Sequence, residues 1–237
     1  MSRVVVIAGA TATGKTRLGI ELARRLGGEI ISADSMQLYR GMDIGTAKPT
    51  RDEMRGITHH MISVASPAEN YSAARYAREA GAAADDILAR EKLPIIVGGT
   101  GLYIDALIYG RAFTVPGDAA LRSELDAEYD ALGGAAMLLR LRGFDPITAL
   151  RLSPSDRRRI IRATEVYRLT GEPISAHDAK SRLTPPRFDA VRFSLNYRER
   201  GVLYARIDAR VDEMLSRGLV GEVKSLLRSG VSRSGTA

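Results

Sequence analysis

Apolar positions along this chain change rhythm as it proceeds. Val4 to Ala8 is an unbroken apolar run bounded by Gly9, too short for a helix, which predicts a buried strand. Lys15 to Leu26 then carries its apolar residues at helical spacing and stops at Gly27-Gly28, the pair expected at a helix C-terminus. Glu29 to Ala33 predicts a second strand ending at Asp34, and Pro94 to Val97 another that runs into Gly98-Gly99-Thr100-Gly101 and a following helix. Between them, a polar loop with Gly41, Gly45 and Pro49 precedes a helix from about Ser72 to Arg90.

After Pro116 the strand rhythm disappears and only helical stripes remain. Ala119–Leu132, Ala135–Leu141, Asp145–Arg151 and Asp156–Leu169 are predicted helices, separated by Gly133-Gly134, Gly143 and Ser153-Pro154. A strand near Asp189–Leu195 and a single closing helix, Tyr204–Leu227, return to the earlier pattern. Alternating strands and helices interrupted by helices alone predict an α/β protein with a doubly wound parallel sheet and a helical insertion. The expected divisions are 1–115 for the first part of the core, 116–183 for the insertion and 184–237 for the return to the core.

Composition narrows the class without naming a chemistry. With 237 residues, 45% of them hydrophobic, the chain can bury a proper core. It has no cysteine, which removes disulfides and thiolate chemistry, and its three histidines are His59, His60 and His177. The N-terminus enters a strand with no signal-like segment, and no apolar run is long enough to span a membrane. A cytoplasmic protein with no membrane partner is expected. The net charge of +7 is local: residues 151–210 hold fourteen basic and seven acidic side chains, while 1–150 hold seventeen and eighteen. Arg157-Arg158-Arg159, with Arg162 and Arg168 at helical spacing, is either a solvated helix face or a surface for a polyanion such as nucleic acid.

Chemistry concentrates where predicted strands end. Gly9-Ala10-Thr11-Ala12-Thr13-Gly14-Lys15-Thr16 lies between a strand and a helix and reads as a phosphate-binding P-loop. Its backbone N–H groups and the helix N-terminus converge on an anion, Lys15 adds a point charge, and the Thr16 hydroxyl suits Mg²⁺. A P-loop NTPase-like fold follows, and by itself the motif fits ATP as well as any other phosphorylated ligand. Asp34 at the second strand end is a candidate general base or Mg²⁺ ligand, and Gly98 to Gly101 permits close backbone approach to a ligand or is a simple turn.

Five strings together resemble one family. Gly9 to Thr16, Ile31-Ser-Ala-Asp-Ser-Met-Gln-Leu-Tyr-Arg-Gly-Met-Asp-Ile-Gly-Thr-Ala-Lys-Pro49, His59-His60, Val97-Gly-Gly-Thr-Gly-Leu-Tyr103 and Arg159-Ile-Ile-Arg-Ala-Thr-Glu-Val-Tyr-Arg-Leu-Thr-Gly-Glu-Pro173 are similar to the tRNA dimethylallyltransferases, also called tRNA isopentenyltransferases. Leu203 to Met214 and Gly218-Leu219 extend the resemblance over nearly the whole chain. It implies that the P-loop holds the diphosphate of dimethylallyl diphosphate, and that the prenyl group passes to N6 of the adenosine 3′ of the anticodon, position 37. Asp34 is then the base for the weakly nucleophilic amine, with Thr100 and Arg206 at the reaction centre, although Arg210 on the same predicted helix face competes for the diphosphate.

On the RNA side, the resemblance implies that Asp34, Ser35, Met36, Gln37 and Thr100 read a flipped-out adenosine. Arg122 and the segment Arg158, Arg159, Ile160, Ile161 and Arg162 would contact the anticodon stem-loop. His59-His60 are expected to pack or to order a loop. Three positions depart from the family: Ala10 replaces a proline, Ser63 an aspartate and Arg158 a glutamine. The family also continues with a further core segment and a basic, aromatic stretch where this chain reaches Ser232 to Ala237, which reads as a loop cut short. A monomer is expected. A P-loop small-molecule kinase using ATP and an isopentenyltransferase acting on free adenylate are the alternative readings.

Overall fold

The computed structural model describes residues 2–110 and 115–232; the cut-short loop expected after Ser232 lies outside the described residues. The chain forms two compact units, Met1–Arg111 with Pro186–Ala237, and Ala112–Pro185. In the first unit the order is β1 (Arg3–Gly9), α1 (Lys15–Leu26), β2 (Gly28–Ser32), α2 (Arg51–Met54), β3 (His59–His60), α3 (Ala73–Ala89), β4 (Leu93–Val97) and α4 (Gly101–Tyr109). The second unit holds α5 (Ala119–Phe144), α6 (Pro146–Ala149), α7 (Arg157–Thr170) and α8 (Ile174–Arg182), after which β5 (Asp189–Leu195), α9 (Arg200–Ser216) and α10 (Leu219–Arg228) rejoin the first.

The sheet runs β3-β2-β4-β1-β5 with every pairing parallel. A parallel sheet needs both faces covered, which is why its inner strands read as continuous apolar runs. Successive side chains divide between the two faces: Val4, Val6, Ile31 and Ile96 pack with α3 and α4 residues, including Tyr76, Ala80, Ile104 and Ile108. Val5, Ile7, Ile30, Ile95 and Val97 pack with Ile20 and Ala23 of α1. Full burial of one such aliphatic side chain contributes about 1.5–3 kcal/mol, and this layered core fixes the strand ends where the motifs lie.

Most predicted elements appear within a residue or two of their expected limits, and the exceptions have local causes. The single closing helix Tyr204–Leu227 is two helices, because Gly218 turns left-handed at φ 98° and starts α10 afresh. The break expected at Gly133-Gly134 is a kink in one long element, with Gly133 at φ 79°, ψ 157°. The helix expected over Asp145–Arg151 shortens to Pro146–Ala149, capped by Asp145 through the Thr148 N–H. Neither α2 nor α8 was expected, although Thr50 and Glu53 form a capping box at the start of α2. A strand as short as β3 gives no periodic signal.

The second unit has its own core, with Leu125 and Met137 of α5 against Ile160 and Ile161 of α7. Ile160 and Ile161, which lie in the segment expected to contact RNA, have almost fully buried side chains and belong to this core. The helical period explains it: two adjacent apolar residues between arginines mark the inward stripe of α7.

Candidate functional site

The P-loop closes the C-terminal end of β1. Gly9 sits at φ 141°, and a Cβ there would stand 2.2 Å from the Leu195 carbonyl oxygen, so only glycine lets β1 leave the sheet beside β5. Gly14 at φ 85° begins α1, and Ala12 is held at φ 60°, an unusual backbone for alanine that leaves the loop concave. The Thr13 hydroxyl donates to the Ala10 carbonyl at 2.8 Å, and the Lys15 ammonium also donates to that carbonyl across the mouth of the loop. Burial lowers the Lys15 pKa and nearby Arg210 lowers it further, while Asp34 opposes them. An anion seated in the loop would give that ammonium a stronger partner.

Two arginines from α9 meet this loop. Arg206 Nε donates to the Ala12 carbonyl at 3.1 Å and lies 5.6 Å over the Tyr197 ring, while Arg210 Nη1 donates to Thr11 Oγ1 at 3.1 Å. Both line a cleft of about 920 Å³ with Ala12 to Arg17. Arg210 also borders a smaller cavity of about 80 Å³ that contains Asp34, Gln37, Lys15 and Thr16 in its wall. Arg206 and Arg210, the two arginines expected to compete for the diphosphate, thus make adjacent contacts with the loop itself, at Ala12 and at Thr11.

The acceptor side is built where β2 and β4 end. A Cβ on Gly98 would lie 2.1 Å from the Ala33 carbonyl oxygen, so this glycine lets the two strand ends touch. Across that contact the Ala33 N–H donates to the Val97 carbonyl at 2.8 Å and the Thr100 N–H to the Ala33 carbonyl at 3.0 Å. Thr100 Oγ1 accepts from the Ser35 N–H at 3.1 Å. Asp34 Oδ1 accepts from the N–H groups of Met36 and Gln37 at 2.9 and 3.3 Å, an Asx turn that fixes the carboxylate and leaves Oδ2 without a partner among the described residues. Gln37 is held at both ends of its amide: Oε1 accepts from Ser32 Oγ at 3.0 Å, and Nε2 donates to the Thr46 and Ala47 carbonyls at 3.2 and 3.3 Å.

Lys48 supports this loop from below. Its buried ammonium donates to Asp43 Oδ1 at 2.7 Å, Ser63 Oγ at 2.9 Å and the Tyr39 carbonyl. Ser63, where an aspartate was expected, thus supplies a neutral acceptor while Asp43 balances the charge. The two histidines separate in role. His60 Nε2 lies 2.8 Å from the buried Glu29 carboxylate, whereas His59 Nδ1 must donate to the Ile57 carbonyl at 2.8 Å and leaves a buried Nε2 with no partner among the described residues. His59 borders the same small cavity as Asp34, and burial lowers its pKa, keeping the ring neutral with Nε2 as an acceptor. No pattern along the chain marks that orphaned atom.

In the second unit the arginine cluster divides. Arg157 pairs with Asp126 and Asp130, and Arg168 with Glu124 and Glu128. Arg122 and Arg162 share the buried Glu165 carboxylate at 2.9 and 2.6 Å. Burial would raise the Glu165 pKa, but Arg122, Arg162 and the Asp118 N–H hold it below the usual value. Arg158 is exposed without an ion pair among the described residues, and Arg159 is 73% exposed with a single 3.5 Å contact to Asp156. Of the expected RNA contacts, these two arginines point to solvent, while Arg122 and Arg162 first serve an internal carboxylate.

Comparison with known proteins places these features in one group. Residues 37–237 match the family described as IPP transferase. The tRNA dimethylallyltransferase of Caldanaerobacter subterraneus is 46% identical over 99% of this chain and 75% of its own length, and that of Desulforudis audaxviator is 51% identical over 96% and 73%. The full-length tRNA isopentenylpyrophosphate transferase of Bacillus halodurans superposes with TM-score 0.67 at 40% identity, covering 99% of this chain and 73% of that one. A eukaryotic dimethylallyltransferase solved acting on tRNA gives 0.81 at 33% identity, covering 99% and 58%.

Proposed function

The chain belongs to the IPP transferase family, and on that footing we propose that it moves a dimethylallyl group from dimethylallyl diphosphate to an adenine amine of tRNA. The P-loop receives the leaving diphosphate and Asp34 the amine proton. The observation that carries this reading is the shared wall of the small cavity, where Lys15, Thr16 and Arg210 of the anion site meet Asp34 and Gln37 of the acceptor site. In one step the amine nitrogen bonds to C1 of the dimethylallyl group as the C1–O bond to diphosphate breaks. The proton goes to the free Oδ2 of Asp34, and the negative charge of the leaving group falls on Lys15, Arg206, Arg210 and the loop N–H groups.

Such preorganised donors act because charge develops where they already point, and losing one reduces rates by about 10²- to 10³-fold. Adenine N6 needs the base because its lone pair is delocalised into the ring. An Asx turn leaves Asp34 aimed and unable to rotate freely.

Thr16 fits Mg²⁺. Its hydroxyl makes no hydrogen bond among the described residues, borders both cavities and is the hard oxygen donor that this ion prefers. Bound there, Mg²⁺ would neutralise diphosphate charge. The acceptor is the adenosine 3′ of the anticodon, flipped out of its stack at a cost of a few kcal/mol. Gln37 and Thr100 read it, while Arg158 and Arg159 contact backbone phosphates of the anticodon stem-loop. The shared naming of the relatives favours prenyl transfer over the kinase alternative. Incubation with labelled dimethylallyl diphosphate or with ATP, plus unmodified tRNA, tests the reading. Label should enter tRNA from the prenyl donor only, and phosphate transfer from ATP would overturn it.

A further inference from the structure

The loop that holds Gln37 is itself held from a distant part of the chain. Glu222 of α10 accepts hydrogen bonds from three consecutive backbone N–H groups, those of Asp43, Ile44 and Gly45, at 2.8, 2.7 and 2.9 Å. Three successive amides converging on one carboxylate form an anion nest, and bonds to an ionised acceptor are about twice as strong as neutral ones. Gly45 permits the approach, since a Cβ there would lie 3.1 Å from Leu219 Cδ1 and 3.4 Å from Glu222 Oε1. Among the described residues no lysine or arginine pairs with Glu222, so the backbone alone satisfies its charge.

Those amides lead directly to the acceptor site. Asp43 also receives Lys48, Thr46 Oγ1 donates to the Met42 carbonyl at 2.6 Å, and the Thr46 and Ala47 carbonyls take the Gln37 amide. The Gln37 N–H in turn donates to Asp34 Oδ1. α10 also sets Leu219 and Leu226 beside Gly45 and Gly41 but has no buried side chain, and Glu222 supplies its hydrogen bonds to this loop. We propose that Glu222 is a positioning residue for the acceptor site, holding residues 43–45 so that Gln37 and Asp34 keep their places. The inference rests on the reading above that Gln37 and Asp34 face the adenine.

Glu222→Gln in the full chain tests it, because glutamine keeps the size but removes the charge and turns an N–H toward one of the three amides. Hydrogen exchange at Asp43, Ile44 and Gly45 should quicken by roughly tenfold or more, the scale of a lost charge-assisted bond. The kcat/KM for tRNA should fall by about tenfold, with dimethylallyl diphosphate affinity measured without tRNA staying within about twofold. Combined with Gln37→Ala, the Glu222→Gln effect should largely vanish, since both would act through the same contact. Unchanged exchange, an equal loss of donor affinity, or an additive double variant would each overturn the proposal. Should the wild-type chain place no prenyl group on tRNA, the proposed function falls, and exchange alone then decides whether Glu222 holds the loop.

Discussion

Adding one methyl group at Gly98 should damage the acceptor site more than most changes to the residues that line it. In Gly98→Ala the new Cβ would stand 2.1 Å from the Ala33 oxygen, 2.3 Å from its carbonyl carbon and 2.8 Å from its Cα. These are backbone atoms with no rotamer to escape into, and non-bonded heavy atoms settle near ~3.5 Å, so the ends of β2 and β4 must part by about 1 Å. That separation stretches the three bonds spanning the contact, Ala33 to Val97, Thr100 to Ala33 and Ser35 to Thr100, from 2.8, 3.0 and 3.1 Å beyond useful range. Overpacking of this kind costs about 1–3 kcal/mol, and each weakened bond adds roughly 0.5–1.5 kcal/mol. A destabilisation of about 2.5–7.5 kcal/mol is therefore expected in urea unfolding. Prenyl transfer should fall about 10²-fold even in the folded fraction, because a shift near 1 Å separates Thr100 from the Asp34 turn. Gly101→Ala is the stability control, since a Cβ there meets nothing within 4 Å. A Gly98→Ala protein within about 0.5 kcal/mol of wild type, or one turning over at the wild-type rate, would refute the close approach as the device that assembles the site.

Four further outcomes follow from the same geometry. Asp34→Asn keeps the Oδ1 acceptor of the Asx turn and removes the base, so transfer should drop at least about 10²-fold while diphosphate binding, measured by calorimetry, stays nearly unchanged. Replacing Arg158 and Arg159 by alanine should weaken tRNA binding and reduce its salt slope by about one per arginine, with little change in stability. Arg162→Ala should instead lower stability by about 1–3 kcal/mol, because it leaves the buried Glu165 with Arg122 as its one remaining cationic partner among those seen. Arg90 holds the Glu29 carboxylate far below its usual pKa against the opposing effect of burial, with Lys92 and His60 assisting. A carboxylate depressed in the folded state stabilises it above the unfolded pKa, near about 4.3 for glutamate, and loses that contribution as pH falls toward the folded value. Glu29→Gln should therefore flatten the acid limb of a stability-against-pH curve below about pH 4.5 and lower the plateau at neutral pH.

Local pattern was enough for much of this molecule because its signals are short-range. An apolar run followed by Gly9 and ended at Lys15 dictates strand, loop and helix in order, since the glycines permit the backbone that the turn requires and the helical stripe begins at once. The strand Asp189–Leu195, and the helix from Ala73 to Ala89 within a residue of each expected limit, were legible for the same reason. So was the placement of Asp34 and Thr100 just beyond strand ends. What sequence spacing could not carry was which of these residues meet. Gly98 brings the Thr100 turn against Ala33, Arg206 and Arg210 reach the loop at Ala12 and Thr11 across nearly two hundred residues, and Glu222 seats itself on Asp43 to Gly45. The division of the arginines also belongs to the fold, because a charge is committed or available only once its carboxylate neighbour is placed: Arg162 lies against Glu165, while Arg158 beside it faces water. Periodicity is a property of neighbours along the chain, whereas a site made at the ends of parallel strands is a property of crossovers, and these bring distant residues together only after the sheet has formed.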